Sequence, residues 1–263
     1  MPTRFVFLAD THLGTLSPGY QQRPAYPDRL PVLLEALCSW MASHGPVDFV
    51  LHGGDLVDAP TIANLRAAGE RLRLTVPAYL CLGNHDLHSE GALAAWLDAC
   101  PALFPGGQPS FDLEWPHGVL HVIPNHWDDL PFFWGDTLDA HLLPDQVKAL
   151  GEALDRRPDV PHVLATHSPV FGVPPEQTGL PEPIHAPSMR FTEQILDLVR
   201  RHPCLQLVVG GHNHLNMDIE ANGCRFATTS SFVEEPFQFK LVELGGDGIR
   251  VSSHSVEPLL SLR

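Results

Sequence analysis

Short apolar and β-branched runs alternate with stretches of helical periodicity along most of this chain, a pattern that belongs to an α/β layered protein and not to a helical bundle. The runs Arg4 to Ala9, Asp48 to His52, Ala78 to Leu82, Val119 to Ile123, His162 to Ala165, Leu205 to Val209, Arg225 to Thr228, Phe239 to Glu243 and Ile249 to Ser253 predict strands. From Asp28, a residue type suited to an N-cap, Leu30, Leu33, Leu34, Leu37 and Met41 recur with helical spacing until Gly45-Pro46 ends the pattern. Pro144 to Arg156, with Val147, Leu150 and Leu154 on one face, and Thr192 to His202, stopped by Pro203, predict two further helices. The last third turns strand-rich, and Gly245-Gly246-Asp247-Gly248 reads as a hairpin turn. Val173 to Arg190 holds five prolines, which argues against regular helix or central strand. It is either a rigid surface excursion or a wall over a ligand site.

Length and composition narrow this picture. At 263 residues with 44% hydrophobic and 18% charged side chains, the chain suits one globular domain over 1–263, with no repeat or linker-like break in composition. No apolar run is long enough to span a membrane, and the N-terminal run passes into Asp10-Thr-His12 without the features of a secretory signal. Five scattered cysteines without a C-x-x-C pair suit reduced thiols and a cytoplasmic location. A net charge of −15 sets the chain against bulk nucleic acid as a partner. The 16 histidines change the reading, because imidazole is the commonest metal ligand and bound cations would reverse the local field seen by an anion.

Five short motifs each follow an apolar run, where a strand would end: Asp10-Thr-His12, Gly54-Asp55-Leu-Val-Asp58, Gly83-Asn84-His85-Asp86, His167, and Gly211-His212-Asn-His214. Open α/β sheets gather ligands outside the carboxyl ends of their strands, so residues some 200 positions apart can converge. Each motif alone is weak. Together they offer oxygen and nitrogen donors suited to Mn or Fe, with Zn, Co or Ni as further candidates, while the lack of clustered cysteine argues against a thiolate zinc site.

The ordered set resembles the calcineurin-like metallophosphoesterase superfamily, and its form is similar to the bacterial class III cyclic-nucleotide phosphodiesterase branch. The resemblance implies a four-layer α/β/β/α sandwich with two mixed sheets and two metal ions above the strand ends. Asp10, His12 and His214 would hold one ion, Asn84, His167 and His212 the other, and Asp55 would bridge them. His85 would face the substrate phosphate as a general acid, with Asp86 holding its imidazole. The implied activity is hydrolysis of a phosphodiester, a cyclic nucleotide or another small diester, by a metal-bridging hydroxide. Two divalent ions less two carboxylates and a hydroxide leave about one positive charge to attract such an anion.

Smaller expectations follow. Asp58 reads either as a group orienting a ligand or as a turn carboxylate, and Gly54, Gly83 and Gly211 as tight turns. His126 after its strand, with Asn125 and Trp127, and His185 and Arg190 in the Pro-rich loop are candidates for a substrate wall. Thr166-His167-Ser168-Pro169 lacks the second histidine of many cyclic-nucleotide enzymes, so the diester stays unspecified. A phosphomonoesterase or nucleotide-diphosphate hydrolase is the alternative within the class. A non-catalytic interaction module is disfavoured because every ligand position and His85 are intact. Relatives commonly form homodimers; the sequence marks no interface, and exposed apolar residues of the C-terminal strands, or the loop Val173 to Arg190, could supply one.

Overall fold

A computed structural model describes residues 2–15, 21–127 and 139–260. Eleven strands among the described residues form two mixed sheets. In the first, β1 (Thr3–Leu8) runs parallel to β2 (Phe49–His52), which runs parallel to β3 (Ala78–Leu80). On its other side β1 pairs antiparallel with β10 (Gln238–Gly245), and β10 with β11 (Gly248–Ser255). In the second, β5 (Gly118–Val122), β6 (His162–Ala165), β7 (Leu205–Gly210) and β9 (Cys224–Thr228) are parallel neighbours. Antiparallel edges are added by β4 (Phe111–Trp115) and β8 (Met217–Ala221).

The strands read as continuous apolar runs because both faces are covered. Alternate residues still part company: Phe5, Phe7, Phe49 and Leu51 meet Leu120, Val163, Ala165, Leu207 and Val209 between the sheets. Val6, Leu8, Val50 and Leu241 turn outward under α1 (Leu30–Ser43), while Leu164, Val208 and Phe226 lie under two helices of the opposite layer, given below. Helices α2 (Ile62–Arg71) and α3 (Ala92–Ala99) pack beside the end of the first sheet through Leu65, Ala68 and Trp96. Helix α4 (Pro144–Arg156), the single turn α5 (Pro175–Thr178) and α6 (Met189–Arg201) follow, then α7 (Glu257–Leu260); α4 and α6 are the helices that cover the second sheet. The layers are therefore α/β/β/α.

Where the structure departs from the sequence reading, local chemistry explains it. The first helix is preceded by a 3-10 turn, Pro27–Arg29, so Asp28 sits inside a turn and makes no side-chain cap. The third predicted helix starts earlier than Thr192, because the Ser188 hydroxyl accepts Phe191 N–H at 3.2 Å, and Arg190 thereby leaves the loop for the first turn of α6. The Pro-rich loop does contain a helical turn, α5, which a proline in the first turn permits. Gln177 of that turn donates to Asp218 O at 2.9 Å and accepts Asp218 N–H, covering the open edge of β8. The predicted hairpin at 245–248 is present, with Gly245 paired to Gly248.

Candidate active site

Asp10 follows β1, Asp55 follows β2, Asn84 follows β3, His167 follows β6 and His212 follows β7. Parallel strands in each sheet thus deliver their following loops to one end of the sandwich. The two loops of the first sheet are laced together: Asp10 N–H donates to Gly54 O, Thr11 and His12 N–H to Asp55 O, and Leu13 N–H to Leu56 O, at 2.9–3.0 Å. His52, fully buried, adds a side-chain strut, with Nε2 3.1 Å from Thr11 Oγ1, whose hydroxyl donates to Leu56 O. Burial pushes His52 down to about 3, so it stays neutral. Gly83 and Gly211 are needed where they stand, since a Cβ would lie 2.2 Å from Asp55 Oδ1 at the first and 2.6 Å from Asp10 Oδ2 at the second.

Asp10, His12 and His214 present one atom each within 4.8 Å of one another, and so do Asp55, His167 and His212. His12 Nε2 lies 3.1 Å from His214 Nε2, and His167 Nε2 lies 3.2 Å from Asp55 Oδ2 and 3.9 Å from Asp10 Oδ1. Asn84 Oδ1 joins the second group, 3.0 Å from His212 Nδ1. All seven side chains assigned to metal in the sequence therefore meet in one place.

The far side of each ring suits a ligand role. His167 donates Nδ1–H to Gly53 O at 2.8 Å, and His214 donates Nδ1–H to the Glu234 carboxylate, so each turns its Nε2 toward the cluster. His167 Nε2 is buried without a hydrogen bond, and a cation would satisfy it. Burial lowers His12 to about 4 and His212 to about 3, keeping both neutral. Burial also lowers His167, but the Asp55 and Asp10 carboxylates outweigh it and raise it to about 9; Asp55 is in turn held well below the usual range by His167. Without metal, a proton on His167 occupies the place of a cation. The donor set fits a pair of divalent ions.

His85 sits at the edge of this cluster in a 3-10 turn, His85–Leu87. Its backbone N–H donates to Asp55 Oδ1 at 2.9 Å, and its ring stands edge-on to His12 with centroids 4.7 Å apart. The expected partnership with Asp86 is not what the geometry provides. Successive residues of a 3-10 turn point about 120° apart, and the buried Asp86 carboxylate instead accepts Val57 N–H at 3.1 Å and Gly83 N–H at 3.0 Å. Burial and the charge of Asp55 raise it to about 7. It is Asp58 that meets the imidazole: His85 Nδ1 donates to Asp58 O at 2.9 Å, with Asp58 Oδ1 at 3.5 Å from the same nitrogen and 3.7 Å from His12 Nδ1.

The family model described as calcineurin-like phosphoesterase matches residues 3–216, which include every one of these motifs. The chain belongs to the calcineurin-like phosphoesterase family. Among solved structures, a dimetal phosphatase from Danio rerio superposes on this phosphoesterase with a TM-score of 0.71 at 16% identity, over 97% of this chain and 96% of the other. GAP50, the anchor in the inner membrane complex of Plasmodium, gives 0.63 at 14% identity over 97% and 85%. A 5'-nucleotidase precursor from Thermus thermophilus gives 0.57 at 18% identity, covering 98% of this chain and 55% of that one. At these identities the likeness speaks for the fold. No curated protein sequence matches the chain.

Around the phosphoesterase centre, the expected substrate wall is only partly assembled. Trp127 lies over the second group, its ring 5.2 Å from His212 and 6.2 Å from His167. Its neighbour His126 is buried against His141, which lowers it to about 4. His185 comes to the other side, where Gln22 Nε2 donates to its Nε2 at 3.2 Å; burial and the charge of His214 lower its pKa. Arg190 is exposed in the first turn of α6. Three contributors went unread in the sequence: Glu234, Gln22 and the acceptor role of Asn125, whose Oδ1 takes Thr166 Oγ1–H and Ser168 N–H on either side of His167. No motif marks them; a carboxylate beside the apolar Phe232-Val233 was the one available signal. Among the described residues no helix is long and apolar enough to cross a membrane, and all five cysteines are free.

Proposed function

We propose that the chain hydrolyses a small phosphodiester with two bound metal ions, Mn or Fe in first place and Zn, Co or Ni as alternatives. One observation carries the reading: Asp10, His12 and His214 stand against Asp55, His167 and His212, with His167 Nε2 lacking a hydrogen bond between Asp55 and Asp10. Asp10, His12 and His214 would hold the first ion, Asn84, His167 and His212 the second, with Asp55 shared. Two such ions supply an activated water and positive charge for the phosphoryl oxygens.

The chain's own groups do the rest. His85 offers its ring for protonation of the leaving oxygen: Asp58 O takes Nδ1–H, so the imidazolium form would give its Nε2 proton to the leaving oxygen and return to the Nδ1–H tautomer that this bond holds. Asp86 serves by another route, tying Val57 and Gly83 so that Asp55 and Asn84 keep their places. Only two carboxylates stand among the seven ligands; together with a hydroxide they would leave about one positive charge on two divalent ions to attract a phosphate anion. Trp127 screens the second group from water, and His185 and His126 stand where specificity would be set. A cytoplasmic setting fits the free thiols.

The test is turnover of bis(p-nitrophenyl) phosphate against p-nitrophenyl phosphate after Mn2+ reconstitution of chelator-stripped protein. Preference for the diester is expected. A clear preference for the monoester transfers the reading to a phosphomonoesterase, and equal turnover after thorough chelation refutes it altogether.

A further inference from the structure

The segment between β9 and β10 carries none of the family motifs, yet it touches two of the three residues of the first cluster. Ser231 donates its hydroxyl to Asp10 O at 2.6 Å, and Phe232 N–H donates to Ala9 O at 3.0 Å, which holds the start of the Asp10 loop. Three residues on, Glu234 is fully buried. One of its oxygens, Oε1, takes His214 Nδ1–H, and the other, Oε2, accepts Arg23 N–H at 3.0 Å and Gln22 N–H at 3.3 Å.

A buried carboxylate is costly unless its lone pairs are satisfied, and here two backbone amides and an imidazole satisfy them. The amides serve a further purpose, because they fix one oxygen and so leave the other a single direction. That direction is His214. We propose that Glu234 is a positioning residue for the first metal, setting the tautomer and orientation of His214 from behind, while the same carboxylate anchors the Gln22–Arg23 segment. Gln22 in turn contacts His185, so the outer wall and the metal ligand share one fixed point. The inference rests on the two-metal reading of the site. It adds a residue outside the matched 3–216 region to its machinery.

The test titrates Mn2+ by calorimetry into chelator-stripped wild type and Glu234→Gln, with thermal unfolding of the metal-free proteins alongside. Wild type takes two ions. In Glu234→Gln one ion binds as before and the other about tenfold to a hundredfold more weakly, the usual effect of losing such a partner, while metal-free unfolding stays close to wild type. Unchanged binding of both ions overturns the proposal, as does equal weakening of both with a lower unfolding temperature, which marks a folding defect. Should Glu234→Gln fail to fold, Glu234→Asp keeps the charge but not the span, and the same selective loss is expected at smaller size; unchanged binding there overturns the proposal too. If wild type itself takes no ions, the two-metal reading fails first.

Discussion

Metal uptake by the stripped protein must displace a proton, and the structure says where it sits. His167 is buried, its Nε2 3.2 Å from Asp55 Oδ2, and the carboxylates raise it to about 9. At pH 7 that nitrogen is protonated in all but about one molecule in a hundred, so binding there is weakened about a hundredfold relative to the neutral imidazole, roughly 3 kcal/mol. Apparent affinity for the second ion should therefore climb about tenfold per pH unit from 7 and level off near 9. Calorimetry with Mn2+ in two buffers of different ionisation enthalpy counts the protons. About one is expected from His167 at pH 7. The His214 pKa also ends raised: burial lowers it, but Asp10 and Glu234 outweigh that. The linked effect on folding has a definite sign. A raised folded-state value stabilises the metal-free protein fully below about 6.5, and that contribution is lost as pH rises through 9. Release of well under half a proton, or affinity flat from pH 7 to 9, would refute the assignment of His167 as a ligand paired with Asp55.

Three other outcomes follow from single side chains. His85→Ala should keep both metals and lose about a hundredfold to ten-thousandfold in kcat, the range for general acid catalysis; metal content and steady-state kinetics on one preparation check it, and wild-type turnover removes His85 from the mechanism. Asp55→Ala should lose metal as well as activity, because its oxygens face His167 and the His85 amide, and full occupancy in that variant ends the bridging role. Lys240 is buried with Nζ donating to Ser253 Oγ and Asn216 Oδ1, and desolvation lowers it to about 8. The folded state therefore disfavours its charge, so wild type should gain stability as pH rises from 8 to 10.5. Lys240→Met should flatten that slope in pH-dependent urea unfolding, by an amount of order 3 kcal/mol across the window.

The fold was legible wherever a run was buried on both faces. Phe5 to Leu8, Leu205 to Val209 and their like announce themselves because alternate residues serve two different cores, and neither set can be polar. The edge strands β4 and β8 were not read, since Asp112, Glu114, Asp218 and Glu220 put charge on every second position and the segments resemble loops. Helix α2 was missed for a related reason: Leu65 and Ala68 are its only buried residues. The proposed ligands were legible because a metal demands particular atoms in a particular order along the strands. Among the groups that orient those ligands, Asp58 was read as one of two alternatives, but Glu234 and the acceptor role of Asn125 were not read, because they act through hydrogen bonds that many residue types could make from many positions in the chain.

The backbone records the same demand independently of side-chain chemistry. Asp10, His12, Asp55, His212 and His214 all lie at φ between +43° and +69°, a left-handed region that non-glycine residues enter at about 1–2 kcal/mol each. Five such residues at a single site represent a substantial strain that no packing requirement explains, since glycine at each position would relieve it. Glycine would also remove the donor. The strain is held by the lacing of residues 10–13 to 54–56 and by the Asp10 carboxylate, which takes His212 N–H through both oxygens at 3.0–3.1 Å. A ligand side chain that also fixes the backbone of a second ligand makes the cluster rigid before any ion arrives. That rigidity favours a small, highly charged guest held by several atoms at once, because donors already in place need no ordering to meet it.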